Sequence, residues 1–564
     1  MVSMRFSEMP YERPDIEALK KDAEEIIKSV EGAKSHAQQL EAHRAFTVLK
    51  RNFTDMSTLA FIRNSINTED RFYEQEKAFM DENEPLIGEL QYRFYKALVS
   101  SPFRAELEKS LGSLLFRNAE LEIKAFDPVI VPELQEENRL ITQYSKLMAS
   151  AQLEYQGKVL NLSQLGPYME SSDRSIRKGA FQKRTEFFID HEKELDDIFD
   201  RLVKVRTSMA RKLGYRDYVE LGYIRMGRNC YGPDDVARFR NQVKRHLVPI
   251  TCSLREKQRE RLGLEKLTYI DIPLYFRDGN PEPQGTPEEI FEAGRRMYDN
   301  LSPETGEFFR FMLDNELMDV LSRKGKAPGG YMTYIYTYDS PFIFANFNGT
   351  SGDVEVLTHE CGHAFNSYLT RGMEIMEYKF PTQDGCEVHS MPMEFFVMPW
   401  LDLFFGDKTA EYNYMHLCSA LFFIPYGCLV DEFQHVIYSS PDMTPKERKE
   451  AWLKLEKQYQ PYLDYEDDPF FGKGGTWQRQ NHIYTAPFYY IDYCLAQICA
   501  LQFRSLLVKD YKAAWEKYLS FSRKAGTMTF IDLLKSSGLK SPFDDGFVKE
   551  ITSESVMSLN EMNI

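Results

Sequence analysis

Two histidines four residues apart, His359 and His363, enclose Glu360 in the run Val356-Leu357-Thr358-His359-Glu360-Cys361-Gly362-His363-Ala364-Phe365. On a helix turning about 100° per residue, the two imidazoles fall about 40° apart and Glu360 lies about 100° from His359. All three therefore share one face. Two imidazoles one turn apart can hold a zinc ion, and the carboxylate between them then stands where a metal-bound water would be activated. That is the chemistry of a zinc-dependent peptidase. The bland alternative is a surface helix whose histidines and glutamate merely face water. The flanks oppose it: Val354, Leu357, Cys361, Ala364, Phe365 and Leu369 form an apolar stripe on the side away from the metal face. Ser351-Gly352-Asp353 supplies N-cap candidates and Arg371-Gly372 a cation and a glycine stop.

A third ligand has to come from elsewhere in the chain. The pattern that uses a third histidine needs Gly at position 366 and His at 369, where this chain has Asn366 and Leu369. What remains is a carboxylate from a following helix, with Glu374, Glu377, Asp384, Glu387 and Glu394 as candidates. Glu374 and Glu377 follow Gly372 too soon for the chain to have turned back. Glu387 opens the run Glu387-Val388-His389-Ser390-Met391-Pro392-Met393-Glu394-Phe395-Phe396, which can return alongside the first helix; spacing favours it without deciding. Glu394 lies on nearly the same helical face as Glu387 and is a candidate acceptor for the second N–H of a ligand imidazole. His389 faces away from Glu387, and Cys361 faces the core. Cys386 is expected to be a quiet buried thiol.

His359-Glu360-Cys361-Gly362-His363 followed by Glu387-x-x-Ser390-Met391-x-x-Glu394 resembles the thimet oligopeptidase family of zinc peptidases, and within it the oligoendopeptidase F and Pz-peptidase branch. The resemblance extends through Gly329-Gly330-Tyr331, Phe344-Ala345-Asn346-Phe347, His482 and Tyr490-x-x-Tyr493. It covers most of residues 200 to 560, while the first 200 match only in being helical. It implies Glu387 as the third ligand and one Zn2+ per chain. It implies a mainly α fold: a zincin-like catalytic core with a small β-sheet near the metal, and two helical halves flanking a deep substrate channel. It also implies that a late histidine and late tyrosines bind substrate backbone and stabilise the oxyanion. His482 and Tyr493 carry over to those roles. The spacing between them departs from the family's, so the second tyrosine is Tyr484, Tyr489 or Tyr490; Tyr490, one helical turn from Tyr493, is preferred.

The elements that must position these groups are mostly helical. Residues 1–200 show helical patterning punctuated by Pro14, Pro85, Pro102 and Pro132, and are expected to form an N-terminal domain that makes one wall of the channel. Residues 201–564 are expected to be the catalytic domain. Leu267 to Ile272 reads as a short strand. Just before the motif, Tyr331 to Tyr338 and Phe342 to Phe347 read as a hairpin. An exposed sheet edge holds an extended peptide through backbone hydrogen bonds indifferent to side chains. Phe342 to Phe347 is the candidate edge, with Phe344, Ala345, Asn346 and Gly349 as substrate-binding positions. Gly472-Lys473-Gly474-Gly475 reads as a mobile loop ahead of His482.

Composition narrows the function classes. In 564 residues, 86 acidic side chains against 70 basic ones give a net charge of −16, which argues against nucleic acid or an anionic membrane as partner. The start of the chain lacks the apolar core of a signal peptide, and the longest nearly uncharged run, Leu417 to Val430, is short for a bilayer. Eight cysteines without a Cys-x-x-Cys pattern read as reduced thiols of a cytoplasmic protein. The expected activity is hydrolysis of internal bonds in short unstructured oligopeptides, with Glu360 as general base. Two alternatives stand beside it. A peptidyl-dipeptidase would need an extra cationic group to grip a substrate carboxylate, and a peptide-binding scaffold with structural zinc would have no use for Glu360.

Overall fold

The computed structural model describes residues 4–562 and 564. Helices account for 71% of the chain, so the mainly α class holds, with two small sheets. The N-terminal helices start where short polar side chains satisfy the free amides of a first turn. Asp15 caps Ile16–Glu31, Ser35 caps His36–Ile66 and Asp70 caps Arg71–Val99. Pro85 lies inside that last helix instead of ending it. A proline there leaves the carbonyl four residues back without its amide donor, and the Asn138 side chain donates to that carbonyl, Asp81 O, at 3.0 Å.

Ala23, Phe46, Phe94, Leu107 and Phe116 belong to an apolar cluster of their own, built from the first helices. From Ile130 onward most buried apolar side chains join the main core, which also takes in Met9, Leu59 and Ile62, while Leu262, Leu267 and Leu274 form a small cluster of their own. A boundary at residue 200 is not a break in the structure, because helix Glu192–Lys212 runs straight through it. Its buried Leu195, Ile198, Phe199 and Leu202 pack into the main core, so the change of core precedes this helix. Leu267 to Ile272 is a turn and not a strand. Asp271 accepts from the Thr268 amide and hydroxyl and takes ion pairs from Arg174 and Arg177, which holds the segment in a tight bend.

The sheet before the motif has three strands in the order Met318–Leu321, Ser340–Phe347, Tyr331–Ile335. The first pair is parallel and the second antiparallel, with Tyr331 opposite Phe344 and Ile335 opposite Ser340. Ser340–Phe347 is thus the central strand, and the expected edge role of Phe344, Ala345 and Asn346 is wrong. The parallel strand Met318–Leu321, which alternation did not reveal, occupies its other side. Every residue of the central strand except Asn346 is buried, as a strand covered on both faces must be. The two edges of the sheet are Met318–Leu321 and Tyr331–Ile335.

Two helical segments, Asp402–Ser439 and Tyr490–Lys509, are long and apolar enough to cross a membrane. In each, 78% of the apolar window is buried inside the protein, so their composition is that of core helices.

Candidate metal centre and active site

The motif helix, Gly352–Leu369, turns the apolar stripe of Val354, Leu357, Cys361, Ala364 and Phe365 into the core. Its entry is not held by an N-cap side chain. Asp353 reaches back instead, accepting from the amides of Asn348 at 2.9 Å and Gly349 at 2.8 Å, which fixes the loop between sheet and helix. The Gly349 amide is spent on this contact, so Gly349 is not a substrate donor. Asn346 is engaged as well: its amide donates to the carbonyls of Ala327 and Gly329. Phe344 stacks on Tyr331 at 4.8 Å, and the Ala345 carbonyl accepts from Lys326 at 2.5 Å. Phe344 and Ala345 are buried, and the side-chain amide of Asn346 and the backbone amide of Gly349 are spent within the protein.

The ligand helix, Gln383–Phe396, crosses the motif helix in backbone contact. A Cβ at Gly362 would lie 2.5 Å from His389 O and 2.6 Å from Ser390 Cα, so only glycine lets the two helices approach this closely. The approach brings Glu387 to the histidines. Its Oε2 lies 3.3 Å from His359 Nε2 and 3.3 Å from His363 Nε2, and the three donors lie within 4.8 Å of one another. A tetrahedral zinc ion with ligands about 2.0–2.1 Å out places neighbouring donors about 3.3–3.4 Å apart. The donor set and its spacing therefore fit zinc. The site is placed in a nearly dry pocket: Glu387 is 1% exposed.

Groups behind the donors orient them. Glu394 Oε1 accepts from His359 Nδ1 at 2.8 Å, and its Oε2 accepts from His416 Nε2 at 2.8 Å. Burial pushes the Glu394 carboxyl up, but the bonds to the two imidazoles outweigh it and hold the group below its ordinary range. Glu387 behaves alike: burial opposes its charge, and the two facing histidines keep it well below the usual value. Ser390 Oγ donates to Glu387 Oε2 at 3.0 Å, and the Tyr489 hydroxyl donates to Glu387 Oε1. His416 comes from the helix Thr409–Ser439, and no spacing in the sequence connects it to the motif. Ser390, one turn after Glu387, was within reach of a helical-face argument.

Glu360 is buried, its Oε2 has no hydrogen-bond partner, and burial raises its pKa from the ordinary value against the opposing pull of His359 and His363. A free carboxylate oxygen beside two imidazoles is equipped to take a proton. The buried His389 ring lies tilted against Phe521 at 5.1 Å and is not one of the three grouped donors. Burial and the charge of His363 hold it down to about 3, so it stays neutral. Cys361 is buried in the core, and Cys386 Sγ donates to the Pro381 carbonyl at 3.6 Å.

The late segment faces the donors from the other side. Gly472 to Gly475 is not a free loop but part of two 3-10 turns, Phe471–Lys473 and Gly475–Arg479, with Gly474 and Gly475 buried. Gln480 donates to His482 Nδ1 at 3.0 Å, which leaves the ring proton on Nε2, 3.3 Å from the Tyr493 hydroxyl. Burial lowers His482 to about 4, so it is a neutral N–H donor at ordinary pH. The field at the Tyr493 hydroxyl comes from Glu387 and Glu360, which places it beside the donors.

Of the three candidate second tyrosines, Tyr489 donates its hydroxyl to Glu387, while the Tyr490 ring lies 5.0 Å from that of His482. The helix runs Tyr490–Lys509, and Tyr489 lies just ahead of it, directly after Phe488. Phe488 has φ 67°, a left-handed conformation that a bulky side chain rarely adopts. It is held there on both sides: Gln434 Oε1 accepts its amide at 2.9 Å, and the buried Arg228 donates to its carbonyl while pairing with Asp492 at 2.8 Å. Strain retained in this way is common beside functional groups. Tyr484 is a core residue, stacked on Tyr144 at 4.1 Å.

The family model described as Peptidase family M3 matches residues 305–553, and that of the Peptidase M3 N-terminal domain matches residues 6–126. A solved structure of Pz peptidase A with an inhibitor shares 50% identity and a TM-score of 0.98, covering 99% of both chains. Oligopeptidase PepF of Bacillus subtilis (strain 168) is 24% identical over 385 residues, 66% of this chain and 55% of that protein. An oligoendopeptidase F homolog of Borreliella burgdorferi is 22% identical over 386 residues, 66% of this chain and 63% of its own. The matched region is thus less than two thirds of either curated relative.

Proposed function

The chain belongs to peptidase family M3, and on that premise we propose that it is a zinc-dependent endopeptidase of short, unstructured oligopeptides. The observation that carries the reading is the free Glu360 oxygen beside three donors spaced for a tetrahedral ion. His359, His363 and Glu387 would hold one Zn2+, and when bound it would polarise the scissile carbonyl and acidify a water. Glu360 takes the proton of the attacking water and delivers it to the departing amine. Glu394 keeps the His359 ring oriented with its Nε2 towards the donor site, and Tyr489 with Ser390 fixes the Glu387 carboxylate. Tyr493 and the His482 Nε2–H are the donors for the developing oxyanion.

The substrate backbone is held by the free edge of Tyr331–Ile335. Gly330 begins that edge, and a Cβ on it would lie 3.6 Å from Glu360 Oε1, so the strand starts at the base itself. The helices before residue 126 form the opposing wall and limit the substrate to flexible peptides. All eight cysteines are free thiols, which supports a reducing, cytoplasmic setting. Purified protein incubated with an internally quenched oligopeptide tests the reading. Internal cleavage that chelator abolishes, zinc restores and Glu360→Gln loses is the expected result. Release only from the carboxyl end, or binding without cleavage, overturns it.

A further inference from the structure

Phe61 is a large apolar side chain left 38% exposed, on the helix His36–Ile66 of the N-terminal half. Its ring meets that of Tyr331 at 4.9 Å, and Tyr331 lies 4.8 Å from Phe344. One aromatic row thus runs from the N-terminal helix over the edge strand to the central strand. The helix is fixed against the end of that edge strand, where the buried Asp55 accepts from the amides of Tyr336 at 2.6 Å and Thr337 at 2.8 Å. Lys50, Thr54, Ser57 and Phe61 follow one another at helical spacing and share one face of the helix. The first three line a cavity of about 670 Å3 whose far wall includes Thr382 and Gln383. Gln383 opens the ligand helix, one turn before Glu387. The face that carries Phe61 therefore borders the open space between the N-terminal helices and the start of the ligand helix.

Strand alternation separates two faces at this edge. A Cβ at Gly330 would lie 3.5 Å from Val356 Cγ1 and 3.6 Å from Glu360 Oε1, and Met332 Sδ accepts from Ser367 Oγ at 4.0 Å, so both positions face the motif helix. Tyr331, between them, faces the other way, towards Phe61. Among the described residues, no backbone group outside the sheet pairs with Tyr331–Ile335, so its outer row of amides and carbonyls can take an extended peptide. A peptide residue opposite Tyr331 carries its Cβ on the same face, about 4.5–5.5 Å away, and its side chain reaches the Phe61 ring. The neighbours of that residue point towards the motif helix and Glu360. With a rise of about 3.4 Å per residue, the residue opposite Tyr331 stands within about two residues of the bond held at Glu360.

We propose that Phe61 and Tyr331 form a subsite for an aromatic or branched aliphatic side chain of the substrate, borne by the residue that pairs with Tyr331. The proposal rests on the peptidase reading and adds to it a side-chain preference set by the N-terminal half. A Phe or Leu side chain there covers the exposed part of the Phe61 ring, whereas alanine leaves it in water.

Quenched peptides are made with Ala, Leu, Phe or Glu placed in turn at the positions within two residues of the cleaved bond. At one of these positions the wild type is expected to show about 10–100-fold higher kcat/KM for Phe or Leu than for Ala, the discrimination an apolar pocket gives. Phe61→Ala brings that ratio close to parity at the same position and leaves the ratios elsewhere as they were. Phe61→Lys turns the preference there from Phe towards Glu. The same ratios are read as equilibrium affinities on a Glu360→Gln background, where no turnover is required. If no peptide is cleaved, the peptidase reading fails and the affinity ratios alone decide the subsite. Absence of an apolar preference at every one of these positions, or a preference that survives Phe61→Ala, overturns the proposal.

Discussion

Replacing Gly222 by alanine tests whether the turn at Phe488 aims Tyr489 at the metal ligand. Gly222 lies in helix Tyr218–Arg225, and a Cβ there would stand 2.5 Å from Phe488 Cδ2 and 2.8 Å from Cε2. Ordinary contact begins near 3.4 Å, so the ring has to retreat by roughly 1 Å. The ring cannot swing freely, since Tyr218, Tyr223, His435 and Tyr438 pack around it. Its backbone is pinned by Gln434 and Arg228. The displacement passes to Tyr489 and hence to the hydroxyl that orients Glu387. Two terms of opposite sign act on stability: alanine gains about 1 kcal/mol over glycine in a helix, and overpacking costs about 1–3 kcal/mol. The net change is small, about 0–2 kcal/mol of destabilisation. Loss of a group that orients a metal ligand costs about 10–100-fold in metal affinity or turnover. Urea unfolding measures the first quantity, and zinc competition with a chromophoric chelator plus peptide turnover measures the second. The reasoning is refuted if Gly222→Ala unfolds as expected but keeps both zinc affinity and kcat within twofold of wild type, as order-of-magnitude bounds.

Glu394→Ala is expected to weaken zinc binding by about 10–100-fold, because His359 loses the acceptor that orients its ring; full affinity and rate in the same chelator competition would remove Glu394 from the site. Tyr493→Phe is expected to lower kcat by about 10²–10³-fold with little change in KM, as removal of one oxyanion donor does, and an unchanged kcat removes it from the mechanism. Glu137 is held down to about 2 by Arg225 and Arg206 against the opposing effect of burial. Its folded value is below the ordinary 4.5, so its contribution is present above pH 4.5 and is lost as pH falls towards 2, about 3 kcal/mol in all. Glu137→Gln should flatten the stability profile in that window and cost about 3–5 kcal/mol near neutrality, because the buried Arg206 and the partly exposed Arg225 lose their shared partner. Denaturant melts across the pH range check both.

The His-Glu-x-x-His part of the candidate site was legible in the chain because it is local. His359, Glu360 and His363 lie within two turns of one helix, where the 3.6-residue repeat alone sets which side chains meet. Glu394 followed from its helical offset to Glu387. The substrate edge was misread because a strand's place in a sheet depends on its partners. Alternation in Phe342 to Phe347 says nothing about Met318–Leu321 pairing on its far side. Tyr490 was preferred by counting one turn back from Tyr493, and helix Tyr490–Lys509 holds both, but the bond from Tyr489 to Glu387 spans 102 residues and no turn count reveals it.

What the residues alone determined is the chemistry and the helical class: ligand types, base, apolar stripe and caps all act within a few turns, over distances set by local backbone geometry. Which distant groups close the site was decided only in three dimensions. Glu387 reaches the histidines because Gly362 lets two helices touch, His416 arrives from a separate helix, and Tyr489 is aimed by a strained turn that Arg228 and Gln434 hold. Those contacts join segments far apart in sequence. Packing selects them, and packing depends on the whole core rather than on any window of it.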